Sequence, residues 1–148
     1  MIEIREMKRE DLDEVLLMMK VFYASPAVLH KASEEILRQD IEDCLSDMPY
    51  VEGYVFVEGG RCAGYAMAAR SYSTEYGGLC VWIEDLYIRQ EFRHQGIGSR
   101  FLAFIEERYK GRAVRFRLEA EEENQAAVEA YKRNGYQVLP YLEMTKEV

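Results

Sequence analysis

The sequence predicts an α/β domain with a central mixed β-sheet flanked by about four helices. Amphipathic helical stretches alternate with short apolar strands along the chain. Gly59-Gly60 joins two neighbouring strands, and the long apolar run Leu79 to Ile88 leads through a glycine-containing turn into a helix. Helices that cross between long central strands imply parallel pairing, which is expected in the second half of the sheet.

Ile2 and Ile4 alternate with Glu3 and Arg5, the pattern of a short edge strand. Leu12, Val15, Leu16, Met19 and Phe22 then recur at helical spacing until Ser25-Pro26 breaks the helix. After a loop through His30, Ser33 can cap a second helix outlined by Ile36, Leu37, Ile41, Cys44 and Leu45, which ends before Met48-Pro49. Tyr54 to Val57 and Ala63 to Met67 flank the Gly59-Gly60 pair, which is free to take the positive φ angles of a tight hairpin. A loop from Ser71 to Gly78 precedes the apolar run, which is long enough for a central strand and is interrupted only by Glu84 and Asp85. Ile97, Phe101, Phe104 and Ile105, widened by Leu102 and Tyr109, form the next helical stripe, with Gly111 as its stop. Val114, Phe116 and Leu118 alternate with Arg115 and Arg117 as a strand. Asn124 caps a last helix that Gly135 ends, and Tyr136 to Met144 is expected to supply one or two closing strands around Pro140.

A chain of 148 residues, 49% hydrophobic, can bury a core as one domain over residues 1–148. That apolar fraction, balanced against 31% charged residues, argues against disorder, and no apolar stretch approaches the roughly 18 to 20 residues of a membrane span. The charged start Met1-Ile2-Glu3-Ile4-Arg5 lacks a signal core, so a cytoplasmic location is expected. Cys44, Cys62 and Cys80 are odd in number and widely spaced, which suits reduced thiols and no metal site. A net charge of −8 argues against nucleic acid or an anionic membrane as partner. It tolerates a cationic small molecule, although solubility alone accounts for most such charge.

The chemistry concentrates in Arg93-His94-Gln95-Gly96-Ile97-Gly98, set between the apolar strand and the amphipathic helix. Glycines let backbone approach a bulky anion, and the free N–H groups and dipole of a helix start favour a pyrophosphate there. The third glycine of the dinucleotide fingerprint and the lysine and hydroxyl of the P-loop are absent, which removes both of those nucleotide readings.

Arg-x-x-Gly-x-Gly after a strand, followed by Asn124, Ala127, Tyr131 and Gly135-Tyr136 spaced as N-x-x-A-x-x-x-Y-x-x-x-G-Y, resembles the GNAT superfamily of N-acetyltransferases over nearly the whole chain. The stretch Glu84-Asp85-Leu86-Tyr87-Ile88 through Ser99 is similar to the diamine and polyamine acetyltransferases, while Leu118-Glu119 with Asn124 and Tyr131 resembles enzymes that acetylate protein N-termini. The resemblance implies acetyl-CoA as co-substrate, with backbone at Leu86, Tyr87 and Ile88 along its pantetheine arm. Arg93, His94, Gln95, Gly96, Ile97, Gly98 and Ser99 would wrap the pyrophosphate, and Asn124 would lie near the thioester. Tyr131 would touch the cofactor as the general acid that protonates, or at least hydrogen-bonds, the leaving thiolate. A homodimer is also implied.

An alkyl amine is protonated at pH 7 and attacks only when neutral, so a proton acceptor must stand beside it. Glu84 is the candidate base, with Glu84 and Asp85 as the substrate-facing carboxylates; desolvation within an apolar strand should raise a carboxyl pKa. In a regular strand the two point to opposite faces, a bulge would re-aim either, and which one faces the amine stays open. Plainer roles stand beside these: Tyr131 as a packed helix residue, and Glu84 as a structural carboxylate held by backbone or Arg115. His94 fits a backbone donor in an exposed loop, and Met18-Met19 with Phe22-Tyr23 fits core. The expected reaction is direct acetyl transfer in a ternary complex to a primary amine, with a small cationic amine favoured. Its rivals are a peptide or protein amine and a non-catalytic CoA-binding regulatory module.

Overall fold

The computed structural model describes residues 1–148. The strands are β1 (Glu3–Glu6), β2 (Val51–Glu58), β3 (Arg61–Ser73), β4 (Gly78–Ile88) and β5 (Ala113–Leu118). The helices are α1 (Leu12–Tyr23), α2 (Glu34–Leu45), α3 (Ile97–Arg108) and α4 (Gln125–Arg133). One sheet takes the strands in chain order, antiparallel from β1 to β4 and parallel between β4 and β5. No helix is long and apolar enough to cross a membrane.

The strand period of two sends alternate side chains to two cores. Val55, Tyr65 and Met67 meet Val15, Leu16, Met18 and Met19 of α1 and Leu37 and Ile41 of α2. On the other face Tyr54, Phe56, Ala66, Val81 and Ile83 meet Ile97, Phe101, Leu102 and Ile105 of α3, with Tyr131 and Tyr136 packed at its side. Helix starts follow the expected caps: Ser33 Oγ accepts the Ile36 N–H at 3.3 Å, and Asn124 Oδ1 accepts the Ala127 N–H at 3.4 Å. The hairpin glycines Gly59 and Gly60 have φ of 57° and 77°.

Three expectations need correction. The loop placed over Ser71 to Gly78 is largely strand, because Ser71, Tyr72 and Ser73 pair with Cys80, Leu79 and Gly78 and leave a short turn through Gly77 at φ 71°. Ile36 lies on the outer face of α2, 48% exposed, because Leu37 and Ile41 take the inward stripe. The closing strands over Tyr136 to Met144 do not form. Pro140 has no N–H to give a ladder and a fixed φ, so the segment leaves the outer edge of β5 unpaired and Leu142 87% exposed.

Close strand approach depends on Gly64, where a Cβ would overlap the Tyr87 carbonyl oxygen and sit 3.2 Å from Ile88 Cα. Both obstacles are backbone, so Gly64→Ala is expected to destabilise the protein by about 1–3 kcal/mol in denaturant unfolding.

Candidate active site

The site begins where β4 outruns β5. Parallel pairing runs from Leu79–Ala113 to Ile83–Leu118 and stops there, since β5 ends at Leu118. Leu86, Tyr87 and Ile88 still pair with Ala66, Tyr65 and Gly64 of β3, so their other backbone edge faces an open gap. An extended polar chain could add to that edge as a further strand does.

At the end of β4 a short 3-10 turn, Gln90–Phe92, buries Phe92 and lifts the chain toward α3. His94 has φ of 63°, the one non-glycine residue of the chain with positive φ, and Gly96 follows at 76°. Left-handed residues within such a turn aim successive N–H groups into one concavity, a nest for anions. Gly96 is the N-cap of α3 and has no side chain to cap it, which leaves first-turn N–H groups free. His94, Gln95 and Gly96 are exposed, whereas Ile97 is buried and fixes the helix against the sheet. Arg93 Nε donates to the Ile88 carbonyl at 2.9 Å and its guanidinium lies 5.7 Å from the Tyr87 ring centroid, so it staples the turn to β4 while remaining exposed at the rim.

Ser99 on α3 receives a 3.0 Å hydrogen bond from Asn134 Nδ2, which also donates to the Ala130 carbonyl at 2.8 Å. This tie between α3 and α4 was not foreseen, because Asn134 reads in sequence only as a helix end. Asn124 is exposed, its side-chain oxygen already used as the α4 cap. Tyr131 is half-buried, its ring 6.2 Å from that of Tyr136, and burial raises its phenol pKa. Both tyrosines line a groove of about 780 Å³ with Trp82, Arg117, Leu118 and Glu119. Glu119 is pushed up to about 7, first by a hydrogen bond with the Glu143 carboxyl and then by desolvation. The C-terminal segment, expected as strand, thus contributes a carboxyl to the groove.

The two carboxylates of β4 part company at a bulge. Met67 pairs with Asp85 and Ala68 with Ile83, so Glu84 is the extra residue without a partner on β3. Val81 and Ile83 face α3, and beyond the bulge Leu86 and Ile88 do so again, which turns Asp85 and Tyr87 toward α1 and α2. Asp85 is only 4% exposed and accepts hydrogen bonds from Tyr23 at 2.9 Å and Tyr65 at 2.7 Å, one on each oxygen. Glu84 is exposed, and Arg115, a candidate partner in sequence, is paired with Glu75 instead. Partial desolvation followed by the Asp85 charge raises the Glu84 carboxyl pKa, while desolvation raises that of Asp85 against the lowering effect of its two tyrosines. The bland expectation for Tyr23 was core; it does pack with Phe22, but its hydroxyl reaches Asp85.

Asp40 of α2 stands near this pair, half-buried, and desolvation followed by the charges of Asp85 and Asp43 pushes it up to about 6 from an ordinary 3.8. A folded-state pKa above the unfolded one gives stability that is complete below the unfolded value and is lost as pH rises through the folded value. Asp40→Asn is therefore expected to raise stability at pH 7.5 by about 1–2 kcal/mol after solvent screening, with the gain gone below pH ~4 in parallel unfolding curves.

Residues 15–136 match the family model described as the acetyltransferase (GNAT) family. The chain belongs to the GNAT acetyltransferase family. This GNAT protein is 31% identical over 143 residues to a thialysine N-epsilon-acetyltransferase of Sus scrofa, covering 89% of this chain and 82% of the relative. The structure of a possible acetyltransferase from Clostridium difficile 630 superposes with a TM-score of 0.83 at 22% identity, covering 99% of this chain and 97% of that one. An aminoglycoside N-acetyltransferase in complex with CoA superposes with a TM-score of 0.82 at 15% identity, covering 99% and 95%. At those identities the two structures show the shared fold. The GNAT protein is an acetyl-CoA-dependent N-acetyltransferase, with the five-stranded mixed sheet and four helices of that fold.

Proposed function

We propose that the enzyme acetylates a primary amine on a small cationic molecule by direct transfer within a ternary complex. The observation that carries this reading is the β4 bulge. It lifts Glu84 out of the ladder at the point where β4 and β5 separate, with a raised carboxyl pKa and acidic neighbours in Asp85 and Glu119. A carboxylate there attracts a cationic amine and can take its proton, directly or through water.

In this reading the backbone of Leu86, Tyr87 and Ile88 holds the pantetheine arm of acetyl-CoA, and Arg93 to Ser99 hold its pyrophosphate. The exposed edge of β4 and the His94–Gly96 nest suit those two groups. Asn124 stands near the thioester. Loss of a proton to Glu84 frees the amine lone pair, which forms the C–N bond to the thioester carbonyl carbon as the C–S bond breaks. Tyr131 gives its proton to the departing thiolate and is returned to the phenol, through water, by the second N–H proton that the nitrogen sheds as the amide forms; its raised pKa keeps it protonated for that task at neutral pH. The name of the porcine relative supports an amine carried by a small, charged amino acid. The uncovered β5 edge and the exposed Val138, Leu142 and Met144 support a homodimer, which sedimentation would detect.

An acceptor panel of thialysine, lysine, 1,3-diaminopropane, spermidine and a short peptide with a free N-terminus tests the substrate class. The expected kcat/KM for the preferred small cation exceeds that for the peptide by at least ~100-fold. A peptide preferred over every small amine would overturn the assignment, and parallel rather than intersecting initial-velocity lines would overturn direct transfer.

A further inference from the structure

We propose that Tyr65 and Tyr23 are positioning residues for acetyl transfer, acting through Asp85 to hold the β4 bulge that presents Glu84. This rests on Glu84 serving as the base. Without the bulge, alternation would place Asp85 on the α3 face with Val81 and Ile83. The bulge is what brings it to the α1 and α2 face, where two phenols from distant parts of the chain meet it. Tyr65 lies on β3, fully buried and fixed between the rings of Phe22 and Tyr87 at 6.4 and 6.2 Å. Tyr23 is the last residue of α1, so its hydrogen bond also joins β4 to the start of the connection between α1 and α2.

A buried carboxylate is stable only with its oxygens satisfied, and each Asp85 oxygen has one phenol donor. The register with two tyrosines on Asp85 is therefore favoured over the unbulged one, which would leave the carboxylate among Ile83, Phe101 and their neighbours. The same register leaves Glu84 unpaired and directed out of the ladder. Neither tyrosine needs to touch substrate for its loss to slow the reaction.

The test is a double-mutant cycle on kcat, using thialysine or the best acceptor of the panel, with Tyr65→Phe, Tyr23→Phe, Glu84→Gln and the two paired combinations. Both tyrosine variants keep ring volume, and Tyr23→Phe alters a part-exposed position if Tyr65→Phe folds poorly. Each single tyrosine variant should lower kcat about 10-fold while KM for acetyl-CoA stays within about 2-fold; in the Glu84→Gln background the same change should lower kcat less than about 2-fold. Equal losses in both backgrounds, or full kcat in the tyrosine variants, would overturn the inference while leaving Glu84 as base. Full kcat in Glu84→Gln alone would overturn the base assignment and this inference together.

Discussion

Tyr131→Phe should lower kcat about 100-fold or more while leaving the fold and the acetyl-CoA KM nearly unchanged. The ring stays packed beside Tyr136 against the α3 core in either form, so only the hydroxyl is removed. A departing thiolate is the conjugate base of a thiol with pKa near 8.5, and proton donation at the moment of C–S cleavage contributes typically about 10²–10⁴-fold. A phenol whose pKa is raised by burial stays protonated across the working range and can supply that proton. Stability in denaturant should shift by less than about 1 kcal/mol. Steady-state kinetics beside an unfolding curve separate the outcomes: unchanged kcat removes the acid role, and a large stability loss marks a packing role.

Glu84→Gln should lower kcat by about 10²–10³-fold and change the shape of the pH profile. Activity in the native enzyme requires the carboxyl deprotonated, so kcat/KM should rise with pH through a midpoint above the ordinary carboxylate range, as desolvation and the Asp85 charge dictate. Without the carboxyl, that rise should vanish and activity should climb only as pH approaches the amine's own pKa near 10. A profile of the variant that keeps the same acidic limb would assign the base to another group, with Glu119, pushed up to about 7, the first to examine.

Much of this fold is legible in sequence because its signals are local. Ser33 and Asn124 mark helix starts by their own side chains, Gly59-Gly60 marks a hairpin by its φ freedom, and α3 shows its buried stripe in the spacing of Ile97, Phe101 and Ile105. The left-handed turn ahead of α3 was readable from Gly96 at a strand-to-helix junction, but not from His94, because positive φ at a non-glycine residue is imposed by the surrounding chain. The roles of the β4 carboxylates were not legible for the same kind of reason. Which of Glu84 and Asp85 is buried depends on a register shift opposite Met67 and Ala68 and on hydroxyls 20 and 62 residues away. The C-terminal segment misled because apolar residues at Val138, Leu139 and Leu142 read as strand, whereas a ladder on the open β5 edge needs a backbone donor that Pro140 lacks.

The most direct test of acetyl transfer to a small cationic amine is free-thiol release from acetyl-CoA by the purified protein, with and without thialysine and the diamines in one buffer. The account predicts amine-dependent thiol release that saturates in both substrates and is lost about 100-fold or more in Tyr131→Phe and Glu84→Gln. Thiol release indifferent to every small amine, from a protein that still binds CoA, would contradict it.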